Sequence, residues 1–193
     1  MTFQKKKYNN KTDEELMILL TKREQLAFNE LYNRYSKPLL NFFYRMLNYD
    51  RAKSEDLLHD LFLKIIEKPQ CFDGSKKFTT WFYTLASNMI KNEYRKLQIR
   101  NDYVTDSIIV NYNSVELNNE SLDKTIFNQR LATELNKVDI DTKTMFNLRY
   151  KEEMSIKEIA DIFDCPEGTI KSRLFYLTKS LSTKLAAFKP EIN

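Results

Sequence analysis

The sequence predicts an all-α protein: two small helical domains joined by a flexible acidic linker, with a helix-turn-helix as the C-terminal domain. The first observation is composition, because 2 glycines and 4 prolines in 193 residues leave little for the tight hairpins and glycine-rich loops of sheet-containing folds. The second is the recurrence of apolar residues at intervals of three and four along most of the chain. The third is a change in the sign of the charge near position 100.

The first helical region begins at Thr12, since Thr12 and Glu15 have the spacing of a capping box. Apolar residues then recur at helical spacing from Leu16 to Met46, which indicates helices that pack along one face. Pro38 lies inside this run and has no backbone donor, so we expect it to bend or interrupt its helix.

A further amphipathic helix is predicted to begin at Ser54, a good N-cap residue, and to end before Pro69. Its apolar stripe is expected at Leu57, Leu58, Leu61, Phe62, Ile65 and Ile66. After the loop QCFDGSKK, a long helix is predicted over about Thr79 to Ile99, with its basic residues late in the helix. Trp81 lies in the apolar stripe of this helix and is expected to pack in the core.

The charge pattern divides the chain. From position 76 to 100, Glu93 alone opposes the basic residues Lys76, Lys77, Lys91, Arg95, Lys96 and Arg100. From position 101 to 125, Lys124 alone opposes the acidic residues Asp102, Asp106, Glu116, Glu120 and Asp123. This pattern predicts a polyanion-binding domain over residues 1–100, a flexible acidic linker over 101–123 and a second domain over 124–193.

The second domain is predicted to contain helices at about 125–135, 141–152, 155–163 and 166–188. Ser155 and Glu158 have capping-box spacing, and the turn DCPEGT separates a short helix from a longer one, which is the helix-turn-helix pattern. Such motifs insert the start of the second helix into the major groove of DNA. A buried stripe is expected at Ile170, Leu174, Leu177 and Leu181, which leaves cations and hydroxyls on the other face. An ordinary helical hairpin with a solvated basic face fits the same spacing.

Metal, cofactor and membrane functions have little support in the sequence. The two cysteines, Cys71 and Cys165, lack CxxC spacing and the only histidine is His59, so we expect no metal site and no cofactor. A reducing cytosol is the simplest compartment for such a chain. The basic N-terminus is not followed by an apolar segment, and no stretch is apolar over the roughly 18 residues of a membrane span, so we expect a cytoplasmic protein.

Two parts of the chain resemble the bacterial extracytoplasmic-function (ECF) sigma factors of RNA polymerase. LRYKEEMSIKEIADIFDCPEGTIKSRLFYLTKSL resembles region four of this family. AFNELYNRY, SEDLLHDLFLKI and FTTWFYTLASNMIKNEYRK resemble, in order, three segments of region two. The resemblance implies that residues 1–100 are region two and 124–193 region four. It also implies a dissociable polymerase subunit that recognises and opens promoters without catalysis of its own.

The resemblance assigns functions to region two. It places a surface that docks on core RNA polymerase at or beside Asp56, Leu57, His59, Asp60 and Phe62. It places contacts to the minus-ten element at Phe72, Asp73, Gly74, Lys76, Lys77, Asn88, Lys91, Asn92 and Arg95. An aromatic such as Phe72 can stack on an extruded base, and lysines attract the strand. Asp73 stands where the family usually has a basic residue, and His59 and Asp60 stand where glutamine and glutamate are usual.

For region four, the resemblance places recognition of the minus-thirty-five element on the second helix of the helix-turn-helix. The implied contacts are Arg149, Thr169, Lys171, Ser172, Arg173, Phe175, Tyr176 and Lys179. An exposed Phe175 can touch a thymine methyl group. Family members often carry arginine where Lys171 or Tyr176 lies, and the loss of a bidentate fork weakens guanine recognition, so the promoter sequence cannot be copied from a relative.

The implied partners are core RNA polymerase, promoter DNA and an anti-sigma factor, which is membrane-bound in many family members; no small-molecule substrate is implied. The main alternative is a stand-alone helix-turn-helix regulator whose first domain senses a signal or forms a dimer. An enzyme that uses Cys165 or His59 is a weaker alternative, since neither residue has a recognisable catalytic neighbour in the sequence.

Overall fold

The computed structural model describes residues 8–103 and 122–186, and over these residues it is helical with no β-strand, which confirms the predicted all-α fold. The chain divides into two compact units, Met1–Tyr103 and Val104–Asn193. The first contains α1 (Asp13–Thr21), α2 (Gln25–Met46), α3 (Arg51–Glu67), a 3₁₀ helix (Pro69–Cys71) and α4 (Phe78–Tyr103). The second contains α5 (Leu122–Leu135), α6 (Ile140–Tyr150), α7 (Ile156–Phe163) and α8 (Glu167–Lys184).

Most of the predicted acidic linker, 101–123, lies outside the described residues. Its first three residues, 101–103, belong to α4, and its last two, 122–123, belong to α5. The helices at both edges are therefore longer than the sequence pattern indicated.

The helices α1 and α2 begin and continue for different reasons. The predicted capping box of α1 is present: the Glu15 N–H donates to Thr12 Oγ1 over 3.2 Å and the Thr12 N–H donates to Glu15 Oε2 over 2.9 Å. Of the two expectations for Pro38, an interruption is wrong, because α2 continues through it, and a bend stays a prediction. Leu31 and Leu39 are fully buried on either side of Pro38, so packing offsets the roughly 3 kcal/mol that an internal proline costs a helix.

The start of α3 differs from the prediction. Asp50, not Ser54, is the N-cap, and its side chain accepts the Lys53 N–H over 3.0 Å. Ser54 is fully buried one turn inside the helix, where its hydroxyl donates to the Asp50 carbonyl. Two good capping residues lie four positions apart, and only packing decides which one begins the helix. Ile66, which was predicted in the buried stripe, is 45% exposed.

The core of the first unit is rich in aromatic side chains contributed by α2, α3 and α4. Five phenylalanines are almost completely buried there: Phe42, Phe43, Phe62, Phe78 and Phe82. Polar contacts fix α4 against its neighbours, since the Tyr94 hydroxyl donates to the Met46 carbonyl over 2.7 Å and Lys53 forms an ion pair with Glu93 at 3.0 Å. These contacts hold α4 along the ends of α2 and α3.

The second unit packs α6, α7 and α8 around a smaller core. The predicted buried stripe of α8 is confirmed, since Ile170, Leu174, Leu177 and Leu181 are at most 6% exposed. The capping box between Ser155 and Glu158 is also present. Lys143 of α6 is a buried charged residue, and its Nζ donates to Asn136 Oδ1 over 2.8 Å. Burial lowers the pKa of Lys143 to about 8.

Candidate nucleic-acid interface

The α3–α4 loop, residues 68–77, carries the first group of predicted DNA contacts. Asp73 organises its turn, because one carboxylate oxygen accepts the Ser75 N–H over 3.0 Å and the Ser75 hydroxyl over 2.8 Å. These two hydrogen bonds, with the charge of Lys76, lower the pKa of Asp73. Asp73 therefore has a structural role in the turn, which accounts for an acidic residue where a basic one was expected.

Phe72, a predicted contact to the minus-ten element, is largely buried in this structure. Its side chain is only 9% exposed, and its ring centroid lies 5.6 Å from that of Phe78 and 5.1 Å from that of Trp81. Trp81 is half-buried in the same cluster, in agreement with its predicted packing. The polar tip of the loop, residues 73–77, is exposed throughout.

Gly74 lies at this exposed tip without any internal requirement for glycine. Its φ is not positive, and an added Cβ atom would meet no atom within 4 Å. The folded chain would therefore accept a side chain at this position. Because glycine has no side chain, another molecule can approach the loop backbone closely at this position.

The middle of α4 presents a polar strip, formed by Asn88, Asn92 and Arg95. All three are exposed, and their spacing of four and three residues places them on one helix face. Lys91 is half-buried beside them. The neighbouring Lys96 instead pairs with Glu93 at 2.6 Å, which keeps the Glu93 pKa low. The strip combines amide groups that can bond base edges with a cation that can contact phosphate.

The α3 outer face consists of Asp56, His59, Asp60, Leu63 and Ile66, which follow one another at helical spacing. The first three are predicted contacts to core RNA polymerase, and all are exposed. Leu63 and Ile66 are 46% and 45% exposed and were not predicted on this face. The signal that could have found Leu63 is a leucine on the polar side of an amphipathic helix.

Two other predicted docking residues lie in the core. Leu57 is 7% exposed and Phe62 is 2% exposed. The Phe62 ring packs against Phe28, Tyr32 and Phe82, with centroid distances of 5.9, 4.8 and 5.5 Å. Their side chains support the helix from within and do not form its outer face.

The turn between α7 and α8 is built by backbone geometry. Asp164 adopts a left-handed conformation with φ of 49°, and the Cys165 N–H donates to the Ala160 carbonyl over 3.1 Å. Cys165 is a half-buried free thiol in this turn. Pro166 is the N-cap of α8, so the helix begins at Glu167, one position later than predicted, and an added Cβ at Gly168 would meet nothing within 4 Å. The start of α8 is therefore open to the approach of another molecule.

The α8 outer face brings together most of the predicted minus-thirty-five contacts, since Lys171, Ser172, Arg173, Phe175, Tyr176 and Lys179 are all exposed. Phe175 and Tyr176 are 60% and 69% exposed. Their rings meet edge to face with centroids 5.5 Å apart. Two neighbours already have partners: Lys171 pairs with Glu167 at 3.2 Å, and the Ser172 hydroxyl donates to the Thr169 carbonyl over 3.0 Å.

The two remaining predicted contacts, Thr169 and Arg149, are less available to DNA than the residues of the α8 outer face. Thr169 is half-buried, and Arg149 is exposed but donates from Nη1 to the Met154 carbonyl over 2.9 Å, which holds the turn before α7. Asp139, the N-cap of α6, interacts electrostatically with Arg173. Although partial burial opposes it, hydrogen bonds from Thr142 and the charge of Arg173 lower the pKa of Asp139.

Within residues 8–103 and 122–186, no group of three or more His, Cys, Asp or Glu side chains is arranged to hold a metal ion. None of the helices in this part of the chain is long and apolar enough to cross a membrane.

Family comparisons match both units. Residues 31–99 match the family described as Sigma-70 region 2, and residues 128–175 match Sigma-70, region 4. These two ranges contain the α3–α4 loop and most of the α8 outer face.

Curated relatives match along most of the chain. It is 30% identical over 183 residues to the ECF RNA polymerase sigma-E factor of Haemophilus influenzae, covering 90% of this chain and 95% of the relative. It is 29% identical over 185 residues to the sigma-E factor of Escherichia coli, covering 90% and 94%. The ECF RNA polymerase sigma factor SigW of Bacillus subtilis is 25% identical over 174 residues, covering 85% and 91%.

Two solved structures have a similar fold. One is CnrH in complex with the cytosolic domain of CnrY, with a TM-score of 0.67 and 18% identity, covering 91% of this chain and 97% of that one. The other is the sigma factor RpoE of Bartonella quintana in complex with the anti-sigma factor NepR, with a TM-score of 0.66 and 22% identity, covering 82% and 96%. With both regions matched in order and a relative aligned along nearly its whole length, the chain belongs to the ECF family of RNA polymerase sigma factors.

Proposed function

We propose that this sigma factor, which directs RNA polymerase to promoters, uses its first unit to dock on the polymerase and open the minus-ten element. Its second unit reads the minus-thirty-five element. The observation that carries this division is that a helix in each unit exposes polar and basic side chains. The first unit has the polar α4 strip, and the second has the α8 outer face.

In the first unit, the α3–α4 loop and the α4 strip contact the minus-ten element. Lys76 and Lys77 attract the DNA strand, and the open backbone at Gly74 receives an unpaired base. Asn88, Asn92 and Arg95 bond base edges and phosphates of the adjoining DNA, with Lys91 beside them. Phe72 supports the loop from beneath through its contacts with Phe78 and Trp81, and Asp73 keeps the turn in shape.

The α3 outer face docks on core RNA polymerase. Asp56 and Asp60 supply negative charge, and His59 supplies a polar ring. Leu63 and Ile66 supply the exposed apolar surface that protein interfaces use at their centre. Leu57 and Phe62 contribute only by holding this helix in place.

In the second unit, the α8 outer face lies in the major groove. Lys171, Arg173 and Lys179 neutralise phosphates or reach guanine, and Phe175 and Tyr176 offer ring surfaces to thymine methyl groups. Thr169, Ser172 and Arg149 add contacts at the edge. Two modest DNA-binding units on one linker gain affinity when the polymerase holds both in position. The linker itself, residues 101–123, lies in the RNA path of the polymerase.

An anti-sigma factor completes the proposal, because both structural neighbours are described as bound to a second protein and one of these is named an anti-sigma factor. Such a partner keeps the sigma factor inactive by covering both units. The chain performs no catalysis itself and acts in the cytoplasm, where polymerase and promoters meet.

Run-off transcription with core polymerase from the same organism, on a library of genomic fragments, tests the function and reports the promoter. Initiation at defined sites is expected. Failure to bind core or to initiate would overturn the proposal, and binding of duplex DNA by a dimer without polymerase would favour the stand-alone regulator instead.

A charge-matched pair of variants tests the α4 strip. Arg95→Ala should weaken promoter binding several-fold and reduce the slope of log affinity against log salt concentration by about one. Lys22→Ala removes an exposed cation beside α1 and should change neither quantity. Equal effects of the two variants would show that the strip makes no specific contact.

A further inference from the structure

We propose that Glu14 of α1, together with Asp13, is a positioning residue for the minus-ten loop. It anchors the start of α4 and thereby holds the loop in the shape that discriminates the captured base. This inference rests on the proposed function of the α3–α4 loop. It adds a role for α1, to which neither the sequence pattern nor the family resemblance assigns one.

The first observation is a helix cap supplied from a distant part of the chain. Glu14 Oε1 accepts the N–H of Phe78, the first residue of α4, over 2.9 Å, although the two residues are 64 positions apart. The first N–H groups of a helix have no partner within the helix, so a carboxylate there satisfies a donor and favours the helix dipole. Lys77, the last residue of the loop, is close enough for its charge to act on the same carboxylate.

A second link joins α1 to the next residue of α4. The Tyr35 hydroxyl of α2 contacts the Asp13 carboxylate, and its oxygen lies 3.0 Å from Thr79 Oγ1. Arg34 holds Asp13 in place through an ion pair of 2.7 Å. Two adjacent carboxylates of α1 therefore fix two adjacent residues at the start of α4.

The anchor is coupled directly to the loop. The Phe78 side chain is fully buried, and its ring packs against Phe72 and Trp81 at centroid distances of 5.6 and 5.8 Å. Phe72 is the loop aromatic, so the position of the Phe78 backbone determines the surface on which the loop tip rests. The other end of the loop, the 3₁₀ helix Pro69–Cys71, also packs against α1. Both ends of the loop are thus held by the same short helix.

The decisive measurement is base discrimination by the assembled holoenzyme. The template is the promoter found by run-off transcription, premelted by mismatches at the minus-ten element, with each of the four bases in turn at the captured position. A variant that is merely less stable lowers binding to all four templates alike, so the ratio between the best and worst base does not change. A displaced loop lowers the ratio itself.

Glu14→Ala removes the acceptor and should reduce this ratio about threefold or more, which is within the net range of one ordinary hydrogen bond. Binding to core should stay within about twofold of wild type. Glu14→Gln keeps an oxygen acceptor and should restore most of the ratio. Glu15→Ala is the matched control, because it weakens the capping box of α1 without any bond to α4.

A second variant and a second readout cover the case in which Glu14→Ala does not fold. Tyr35→Phe keeps the ring but removes the hydroxyl between Asp13 and Thr79, and it should lower the ratio in the same direction. Trp81 is the only tryptophan in the chain and touches Phe72, so acrylamide quenching of its fluorescence reports the loop in the free protein. Quenching should rise in Glu14→Ala and Tyr35→Phe but not in Glu15→Ala.

An unchanged ratio and unchanged quenching in these variants, with core binding intact, would overturn the positioning role while leaving the proposed function standing. Failure of the wild-type holoenzyme to initiate on any fragment would overturn the proposed function, and the inference with it.

Discussion

Phe62 distinguishes a residue that contacts the polymerase from one that supports the contact surface. The resemblance placed it at the docking site, but its side chain is 2% exposed and its ring packs against Phe28, Tyr32 and Phe82. Replacing a buried phenylalanine by alanine typically costs about 3–5 kcal/mol, and loss of the aromatic contacts places Phe62→Ala in the upper part of that range. We therefore expect Phe62→Ala to unfold the first unit at a much lower urea concentration.

Paired measurements on the same variants separate stability from docking. Urea unfolding reports the free energy of unfolding, and titration with core RNA polymerase at a temperature where the variants are folded reports docking. Asp60→Ala and Leu63→Ala alter exposed side chains, so their unfolding free energies should stay within about 1 kcal/mol of wild type while polymerase affinity falls. Phe62→Ala should show the opposite pattern once its unfolded fraction is accounted for.

Two results would refute this reasoning. Wild-type stability of Phe62→Ala would mean that its ring contributes little to the core. A folded Phe62→Ala with strongly reduced polymerase affinity, beside normal affinity in Asp60→Ala and Leu63→Ala, would mean that the docking surface is not the outer face of α3.

Three further predictions concern other parts of the chain. Replacing thymines of the minus-thirty-five element by uracil removes their methyl groups and should weaken holoenzyme binding about twofold or more. The loss should disappear in the double variant Phe175→Ala/Tyr176→Ala. An equal loss in both proteins would exclude methyl contacts by these rings. Gly74→Ala should leave core binding unchanged and the unfolding free energy within about 0.5 kcal/mol of wild type, but it should slow promoter opening. Permanganate reactivity of the melted bases measures the opening, and a normal rate would argue against close approach of DNA to this backbone. The unfolding free energy of the second unit should rise between about pH 8 and 10.5, because the unfolded state keeps the Lys143 proton that the folded state releases. Lys143→Met removes the buried charge, so it should abolish this rise and stabilise the unit at pH 7 by up to about 3 kcal/mol. A wild-type pH profile in that variant would assign the rise to other groups.

Local signals in the sequence were sufficient for most helices. The capping boxes at Thr12 and Ser155 begin their helices because the partners, Glu15 and Glu158, lie only three residues away. The exposed set on α8 was also predictable, since helical periodicity alone separates Ile170 and Leu174 from the residues between them.

The errors occurred where a distant part of the chain decides. Pro38 leaves its helix unbroken because buried neighbours outweigh a local penalty, and Asp50 rather than Ser54 begins α3 because Ser54 is drawn into the core. Ile66 repeats with the buried residues of its helix, yet it is 45% exposed. Periodicity gives the face on which a residue lies but not what the rest of the fold places against that face.

By itself, then, the sequence determined the helical class and the two-part organisation, because composition and charge over long stretches of chain indicate them. It also determined the helix-turn-helix and the exposed chemistry of α8, which depend on residues within about two helical turns of one another. Only the tertiary structure decided that Phe72 and Phe62 are buried supports, and that Leu63 joins the outer face of α3. Only it showed that Glu14 caps a helix that begins 64 residues later. Contacts over such separations depend on how the helices pack, because no pattern within one helix records which side chain another helix brings to its first N–H group.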